Sequence, residues 1–143
     1  MPKNYIENMI EKIRDSIRKE RFRTVGNKFY ELTKYGLTVE NKMLVLLASE
    51  LADVFRNCLS DYKIISKEID KGDLGIVTES VFKLLEYLNQ DIENLDETQK
   101  AQIFDILANA IYNAEKILDL SDEILLNKGM IRNIRRSFEE NLI

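Results

Sequence analysis

Residues 39–58 read VENKMLVLLASELADVFRNC, and this stretch sets the fold class that the whole sequence predicts. Its apolar residues recur at steps of three and four, the spacing of one face of an α-helix: Leu44, Leu47, Leu51, Phe55 and Cys58. Residues 43–48 are apolar on every side of such a helix, which is typical of a helix enclosed in a core. We therefore expect the protein to be built around a buried helix.

The same helical spacing continues on both sides of this stretch. Upstream, one amphipathic segment follows another and ends at Gly36, a residue suited to a left-handed helix cap. Thr38 is then the expected N-cap of the next helix. Downstream, Asp96 and Gln99 form the capping-box pattern that starts a helix. The pattern predicts an all-α protein, a single-domain antiparallel helical bundle of five to six helices spanning residues 1–143.

Three further details concern where the helices of this bundle begin and end. It leaves open whether residues 39–71 form one helix or two. We expect Ser121 to cap the last segment and Gly129 to interrupt it. The tetrapeptide Lys71-Gly72-Asp73-Leu74 resembles the inter-helix turn of tetratricopeptide repeats, but no second copy follows at their period of ~34 residues, so a plain bundle is preferred.

The composition of the chain argues against several classes of function. The chain has no histidine, which removes the commonest general base and every Ser-His or Cys-His arrangement. Its one cysteine, Cys58, cannot form an internal disulfide, which favours a reducing compartment. The longest apolar run, residues 43–48, falls far short of the ~20 residues of a membrane span, and residues 1–14 lack the apolar core of a signal peptide. We expect an intracellular, cytoplasmic protein that does not bind membranes.

No enzyme class is indicated. The five glycines lack the spacing of phosphate-binding loops. Glu50-x-x-Asp53 and Glu93-x-x-Asp96 resemble the acidic pairs of all-helical nucleotide pyrophosphatases, which implies magnesium held by inward-facing carboxylates. On a helical wheel, however, Glu50 and Asp53 lie away from the apolar face, and Asp96 is better explained as a cap. We predict no catalytic residue, no metal site and no cofactor.

Charge is unevenly distributed along the chain. Residues 1–35 carry net +4, residues 36–127 net −10 and residues 128–143 net +2. On the helical wheel the basic side chains of the two ends form rows that are candidate phosphate-binding faces: Arg14, Arg18 and Arg21 near the N-terminus, and Lys128, Arg132, Arg135 and Arg136 near the C-terminus. The competing interpretation is that these side chains cover the edge of the core and pair with acids of the middle helices.

These observations favour a non-enzymatic interaction module of the adaptor, regulator or inhibitor type, which binds a protein partner or associates with itself. Apolar residues beyond those needed for a core could form that surface: Tyr30, Tyr35, Tyr87, Leu125 and Leu126. One alternative is a nucleic-acid-associated subunit that uses both basic ends. Another is an inhibitor or regulator from a mobile element or defence system, whose acidic middle mimics nucleic acid or covers a basic cleft.

Overall fold

A computed structural model of the protein describes residues 2–67 and 71–141, and within them it is all-α, without a β-strand. The three helices of the first half are α1 at Pro2–Arg18, α2 at Phe22–Thr38 and α3 at Lys42–Asp53. A π-helical turn at Val54–Cys58 and a four-residue helix α4 at Tyr62–Ile65 follow. The second half contains α5 at Lys71–Leu88, a 3-10 turn at Ile92–Asn94 and α6 at Glu97–Asn141. The predicted all-α helical bundle is confirmed.

Two helical hairpins form most of the bundle, α2 with α3 and α5 with α6. Helix α1 packs against α2 and α5, and the π-helical turn contacts α2, α3 and α6, so these two elements join the hairpins. The hairpins enclose one hydrophobic cluster of aliphatic side chains that are almost without solvent contact. It includes Ile13, Leu32, Leu47, Leu84 and Ile103.

Four aromatic rings lie where α2, the π-helical turn and α4 meet. Phe55 lies with its ring centroid 5.9 Å from that of Phe29 and 5.8 Å from that of Phe22. Tyr62 packs edge-on against Phe22, at 5.3 Å between centroids. These distances are those of favourable aromatic pairs. The cluster fixes the π-helical turn, and with it the surface on which α6 rests.

The turns that end α1 and α2 are built alike. Each places a glutamate, Glu20 or Glu40, in the left-handed region at φ 56°. In each, the next amide closes the helix by donating to a carbonyl five residues back, Arg21 to Ser16 at 2.9 Å and Asn41 to Gly36 at 2.9 Å. This is the hydrogen-bond pattern of a Schellman cap.

The prediction that α2 ends at Gly36 is therefore wrong, as is the prediction that Thr38 caps the next helix. Gly36 lies inside α2, where a Cβ atom would come within 2.9 Å of a Val45 methyl group, so glycine is needed for close packing of α2 on α3. Thr38 is the last residue of α2 and its hydroxyl donates to the Lys34 carbonyl. The N-cap of α3 is Asn41, whose side chain accepts from the Leu44 amide at 3.0 Å.

One continuous helix over residues 39–71 is wrong, since the helical turns end at Cys58 and a new helix begins at Tyr62. Helix α3 ends at Asp53, and the π-helical turn, α4 and the start of α5 follow, with residues 68–70 outside the described part. The tetrapeptide at residues 71–74 is the first turn of α5 and not an inter-helix turn. The capping box before α6 is confirmed, since the Gln99 amide donates to Asp96 Oδ1 at 2.8 Å and the Asp96 amide to Gln99 Oε1 at 3.2 Å.

Helix α6 is continuous over 45 residues, so the expected cap at Ser121 and break at Gly129 are both wrong. Ser121 is buried in the helix interior, and its hydroxyl donates to the Ile117 carbonyl at 2.7 Å. Gly129 keeps helical geometry, and no neighbouring atom lies within 4 Å of the place a Cβ would take. Tertiary packing covers the first part of α6, whereas its last turns extend into solvent.

Tyr62 offers a test of the core. Its hydroxyl is buried and has no hydrogen-bond partner among the described residues. Because a buried unpaired polar group costs about 1–3 kcal/mol, we expect Tyr62→Phe to raise the free energy of unfolding by about 1 kcal/mol at pH 7. Tyr87→Phe is the control, since the exposed Tyr87 hydroxyl already donates to Gln102 Oε1. Urea unfolding of both variants measures the difference, and a Tyr62→Phe protein less stable than the native protein would contradict it.

The same substitution should change the response to alkali. Burial, and secondarily the Glu20 carboxylate, raises the pKa of Tyr62 above its usual 10. A raised pKa means that the folded state holds the phenol proton more tightly, so stability falls as the pH rises above 10. We expect the Tyr62→Phe protein to lose less stability than the native protein between pH 9 and pH 11.

Candidate protein-binding surface

The most exposed apolar surface of the protein lies on the last turns of α6. From Leu126 to Asn141 every side chain that the structure describes is solvent-exposed, apart from Gly129 at an intermediate value. We call residues 126–141 the projecting segment. At 1.5 Å per residue it is about 24 Å long. No helix among the described residues has both the length and the apolar character to cross a membrane.

Four large apolar side chains follow one another along the projecting segment at steps of four residues. They form the apolar stripe, and their exposed fractions are 64% for Leu126, 52% for Met130, 66% for Ile134 and 66% for Phe138. Residues four apart are neighbours on a helix surface, so the stripe is continuous. Single exposed apolar residues are normal on proteins, but a row of four on one helix is a candidate binding surface.

The apolar stripe points away from the bundle. Upstream, α6 buries a row of apolar side chains against α5 and the π-helical turn: Ile103, Leu107, Ala110, Ala114 and Ile117. At 100° per residue, the centre of the stripe lies about 160° around the helix from the centre of that row. Because α6 is continuous, the bundle's own core cannot cover the stripe.

Charge on the projecting segment is separated from the stripe. The segment carries four basic and two acidic residues, and on the helical wheel all six lie at least about 40° outside the arc that the stripe spans. Arg132, Arg135 and Arg136 are exposed, and they form no ion pair with the other described residues. Lys128 is also exposed but has interactions of its own. The segment is thus an amphipathic helix with a basic polar face.

The three N-terminal arginines are placed differently from these four. The Arg14 guanidinium is half-buried and pairs with Glu11 Oε1 at 3.1 Å. The Arg18 guanidinium lies over the Phe82 ring, 5.9 Å from its centroid, and lines a cleft of about 240 Å³ between α1 and α5. Arg21 lines a separate cleft, of about 370 Å³, with Arg23 and Lys63.

The predicted basic row at the N-terminus is therefore divided between surfaces. Arg14 and Arg18 lie along the boundary of α1 with α5, and Arg21 lies at the turn before α2. The C-terminal row, by contrast, stays together on one exposed helix. Helices α1 and α6 have different sets of neighbours. Helix α1 packs against α2 and α5, and α6 packs against α5, the π-helical turn and α4.

Most of the tyrosines predicted for a partner surface have partners within the chain. Tyr30 lies between two cations, with Lys34 Nζ at 4.7 Å and the Arg56 guanidinium at 5.2 Å from its ring centroid. Tyr35 is half-buried and stacks near Tyr5, at 4.5 Å between centroids. The Tyr87 hydroxyl bonds to Gln102. Tyr35 and Tyr87 are partly buried against the core, whereas Tyr30 remains 45% exposed.

The two predicted leucines differ in their surroundings. Leu125 packs against the core, and Leu126 is the first residue of the stripe. The remaining members of the stripe were missed because the spacing of Ile134 and Phe138 suits a core-facing helix equally well. Continuing the helical wheel from Ile117 along an unbroken α6 would have shown the change of face.

A second exposed apolar patch lies at the turn between α2 and α3. It is a groove of about 590 Å³ between Leu37 on one side and Val45 and Leu46 on the other, with Glu40 and Lys42 at its rim. Leu37 and Leu46 are both exposed there. The groove has less exposed apolar surface than the stripe, because it presents two exposed large apolar side chains and the stripe presents four.

Chemistry at the other reactive groups is limited. Cys58 is half-buried beside α6, and burial together with the Glu115 and Asp119 carboxylates raises the pKa of its thiol. A raised pKa disfavours the thiolate, which is the nucleophilic form. In the described part of the chain, no three Cys, Asp or Glu side chains are grouped so that they could hold a metal ion.

Comparison with known proteins gives no relative: no protein-family model, curated protein or solved structure matches this chain.

Gly129 allows the helical state of the projecting segment to be tested. Glycine costs a helix interior about 1 kcal/mol relative to alanine, and a Cβ at position 129 meets no other atom. We expect Gly129→Ala to slow amide hydrogen exchange in residues 126–141 by about fivefold. Gly75→Ala in α5, where a Cβ also meets nothing, should leave exchange in this segment unchanged. Equal exchange in native and Gly129→Ala proteins would show that the segment is not helical in solution.

Proposed function

We propose that this chain is a non-enzymatic helical interaction module that binds a protein partner through the projecting segment of α6. The observation that carries the proposal is the apolar stripe: four large side chains, each more than half exposed, on the side of α6 opposite the bundle. Adaptor, regulator and inhibitor roles all fit such a surface. The stripe supports binding itself and not one of these roles over another.

Burial of the apolar stripe by a partner is energetically favourable. Fully burying one side chain of this size contributes about 1.5–3 kcal/mol, and four of them together supply the anchors of a typical interface. An isolated helix of sixteen residues is marginal in water. A partner that covers the stripe therefore also stabilises the helix that presents it, and binding and helix formation in the projecting segment support each other.

The arrangement fits the helix-in-groove mode of recognition, in which apolar side chains on successive turns enter an apolar groove. The stripe supplies these anchors at four consecutive turns. Arg132, Arg135 and Arg136 lie on the remaining face, where carboxylates at the rim of a partner's groove could reach them. Rim charges of this kind act mainly on association rate and partner choice, and the apolar anchors supply most of the affinity.

Site-specific photo-crosslinking in the native cell tests the proposal. A photoreactive phenylalanine analogue at position 134 lies within the stripe, and the matched control at position 136 lies about 160° away on the same helix. We expect position 134 to form a protein adduct that position 136 does not form. Adducts of equal yield from both positions, or from neither, would contradict binding through the stripe.

The partner identified by crosslinking must also bind this chain when both proteins are purified. We expect Ile134→Ser combined with Phe138→Ser to weaken that binding at least tenfold, because buried anchors of an interface contribute more than 1 kcal/mol each. Both side chains are exposed, so circular dichroism should show unchanged helicity of the bundle. Arg132→Ser with Arg136→Ser is the control for a general effect of changing the segment.

A nucleic-acid-associated role is the second candidate, and one observation favours it: three exposed arginines of the projecting segment form no ion pair in the described structure. We expect a combined change of Arg132, Arg135 and Arg136 to serine to abolish binding of RNA or DNA in a mobility shift, if this role is correct. Ile134→Ser with Phe138→Ser should leave it intact. Binding should weaken steeply between ~0.05 M and ~0.2 M salt, since phosphate contacts release counterions. No shift at ~0.1 M salt, or a salt-independent one, rules the role out.

A further inference from the structure

We propose that the partner of the apolar stripe is a second copy of this chain, held by a two-fold contact between the projecting segments of the two molecules. This inference rests on the function proposed above and names the occupant of the same surface. Three properties of the segment carry it: the step between its apolar residues, the position of its charges, and the direction in which the stripe faces.

The stripe is complementary in shape to itself. Its members are separated by steps of four, so they form one ridge of the kind that runs along every fourth residue of a helix. Two such ridges interlock when helices cross at about 50°, the commonest packing class in globular proteins. A two-fold axis brings the same ridge of each copy to the crossing, with Met130 and Ile134 nearest to it.

The charges of the segment permit this contact. The positions that share the stripe's face are neutral, namely Asn127, Ser137 and Asn141. Arg132 and Arg136 lie on the far face of the helix, and the two charged residues nearest the stripe, Glu140 and Arg135, lie about 40° and 60° outside its arc. A copy placed on the stripe therefore does not bring like charges together at the crossing.

The direction of the stripe leaves room for both bundles. Each bundle packs on the side of α6 about 160° from the stripe, so in a two-fold contact the bundles lie on the outside. From their exposed fractions, the four side chains offer about 500 Å² per copy, so the pair can bury up to about 1,000 Å². That area is at the lower end for specific interfaces and predicts a concentration-dependent dimer.

Sedimentation velocity of the purified protein tests the proposal. Between ~1 µM and ~200 µM we expect the mass to rise from that of the 16.7 kDa chain towards twice that value. Ile134→Ser with Phe138→Ser should raise the dimer dissociation constant at least tenfold, whereas Arg132→Ser with Arg136→Ser should not. A native protein that stays monomeric over this range, or a dimer indifferent to the stripe substitutions, would overturn the proposal.

Cysteine crosslinking tests the two-fold geometry. In a Cys58→Ser background, Ile134→Cys lies close to the crossing point and Arg136→Cys lies on the far face. Under mild oxidation we expect the protein with cysteine at 134 to form a covalent dimer at least ten times faster than the one with cysteine at 136. If instead the dimer is lost on Leu37→Ser with Leu46→Ser, the stripe binds the groove between α2 and α3 head to tail, and the two-fold contact is wrong.

The two proposals fail in different ways. A monomeric native protein whose position 134 still crosslinks to a different protein in the cell contradicts the second copy and keeps the protein-binding function. A monomeric protein whose position 134 crosslinks to nothing contradicts both.

Discussion

The packing of the first half of α6 against α5 and the π-helical turn is the interaction on which the rest of the structure depends. Ala110 and Ala114 are buried in that contact, and their small side chains let the neighbouring backbones approach closely. The contact fixes the direction of α6, and among its described side chains Ile117 and Ser121 are the last that are fully buried. Because the helix continues beyond them without a break, the bundle sets the direction of the projecting segment but does not cover it.

The change of face along α6 follows from the sequence itself. The buried row and the apolar stripe are both regular, but they lie on nearly opposite sides of one continuous helix. A helix with one apolar face can be covered by its own bundle, whereas a helix whose apolar face changes side presents apolar surface in two directions. The bundle covers the first of these faces. Under the proposed function a second molecule covers the other, and the exposed arginines lie on the remaining face.

Much of the fold could be predicted from the sequence, because helical periodicity and the Asp96–Gln99 capping box are local signals. The errors at the two glycines have different causes. Gly36 was interpreted as a helix cap, yet it is needed where Val45 approaches α2, and a glutamate, Glu40, takes the left-handed position instead. Gly129 was expected to break α6, but glycine only weakens a helix, and its neighbours continue the helix on both sides.

The candidate site was only partly accessible from the sequence. The C-terminal basic row could be found because charge and spacing are visible directly, and Leu126 was recognised as surplus apolar surface. Ile134 and Phe138 were not predicted as surface residues, since an apolar row at helical spacing does not reveal whether a neighbour exists to cover it. That information depends on the length of α6 relative to α5, which is a property of the folded bundle.

Amide hydrogen exchange along α6 at low and high protein concentration tests the central claim most directly. If the projecting segment is a helix completed by a second copy, exchange in residues 126–141 should slow at least tenfold between ~1 µM and ~200 µM protein. Exchange in residues 103–117, which the bundle covers in every molecule, should not change. Rapid exchange in residues 126–141 that is independent of concentration would contradict the claim.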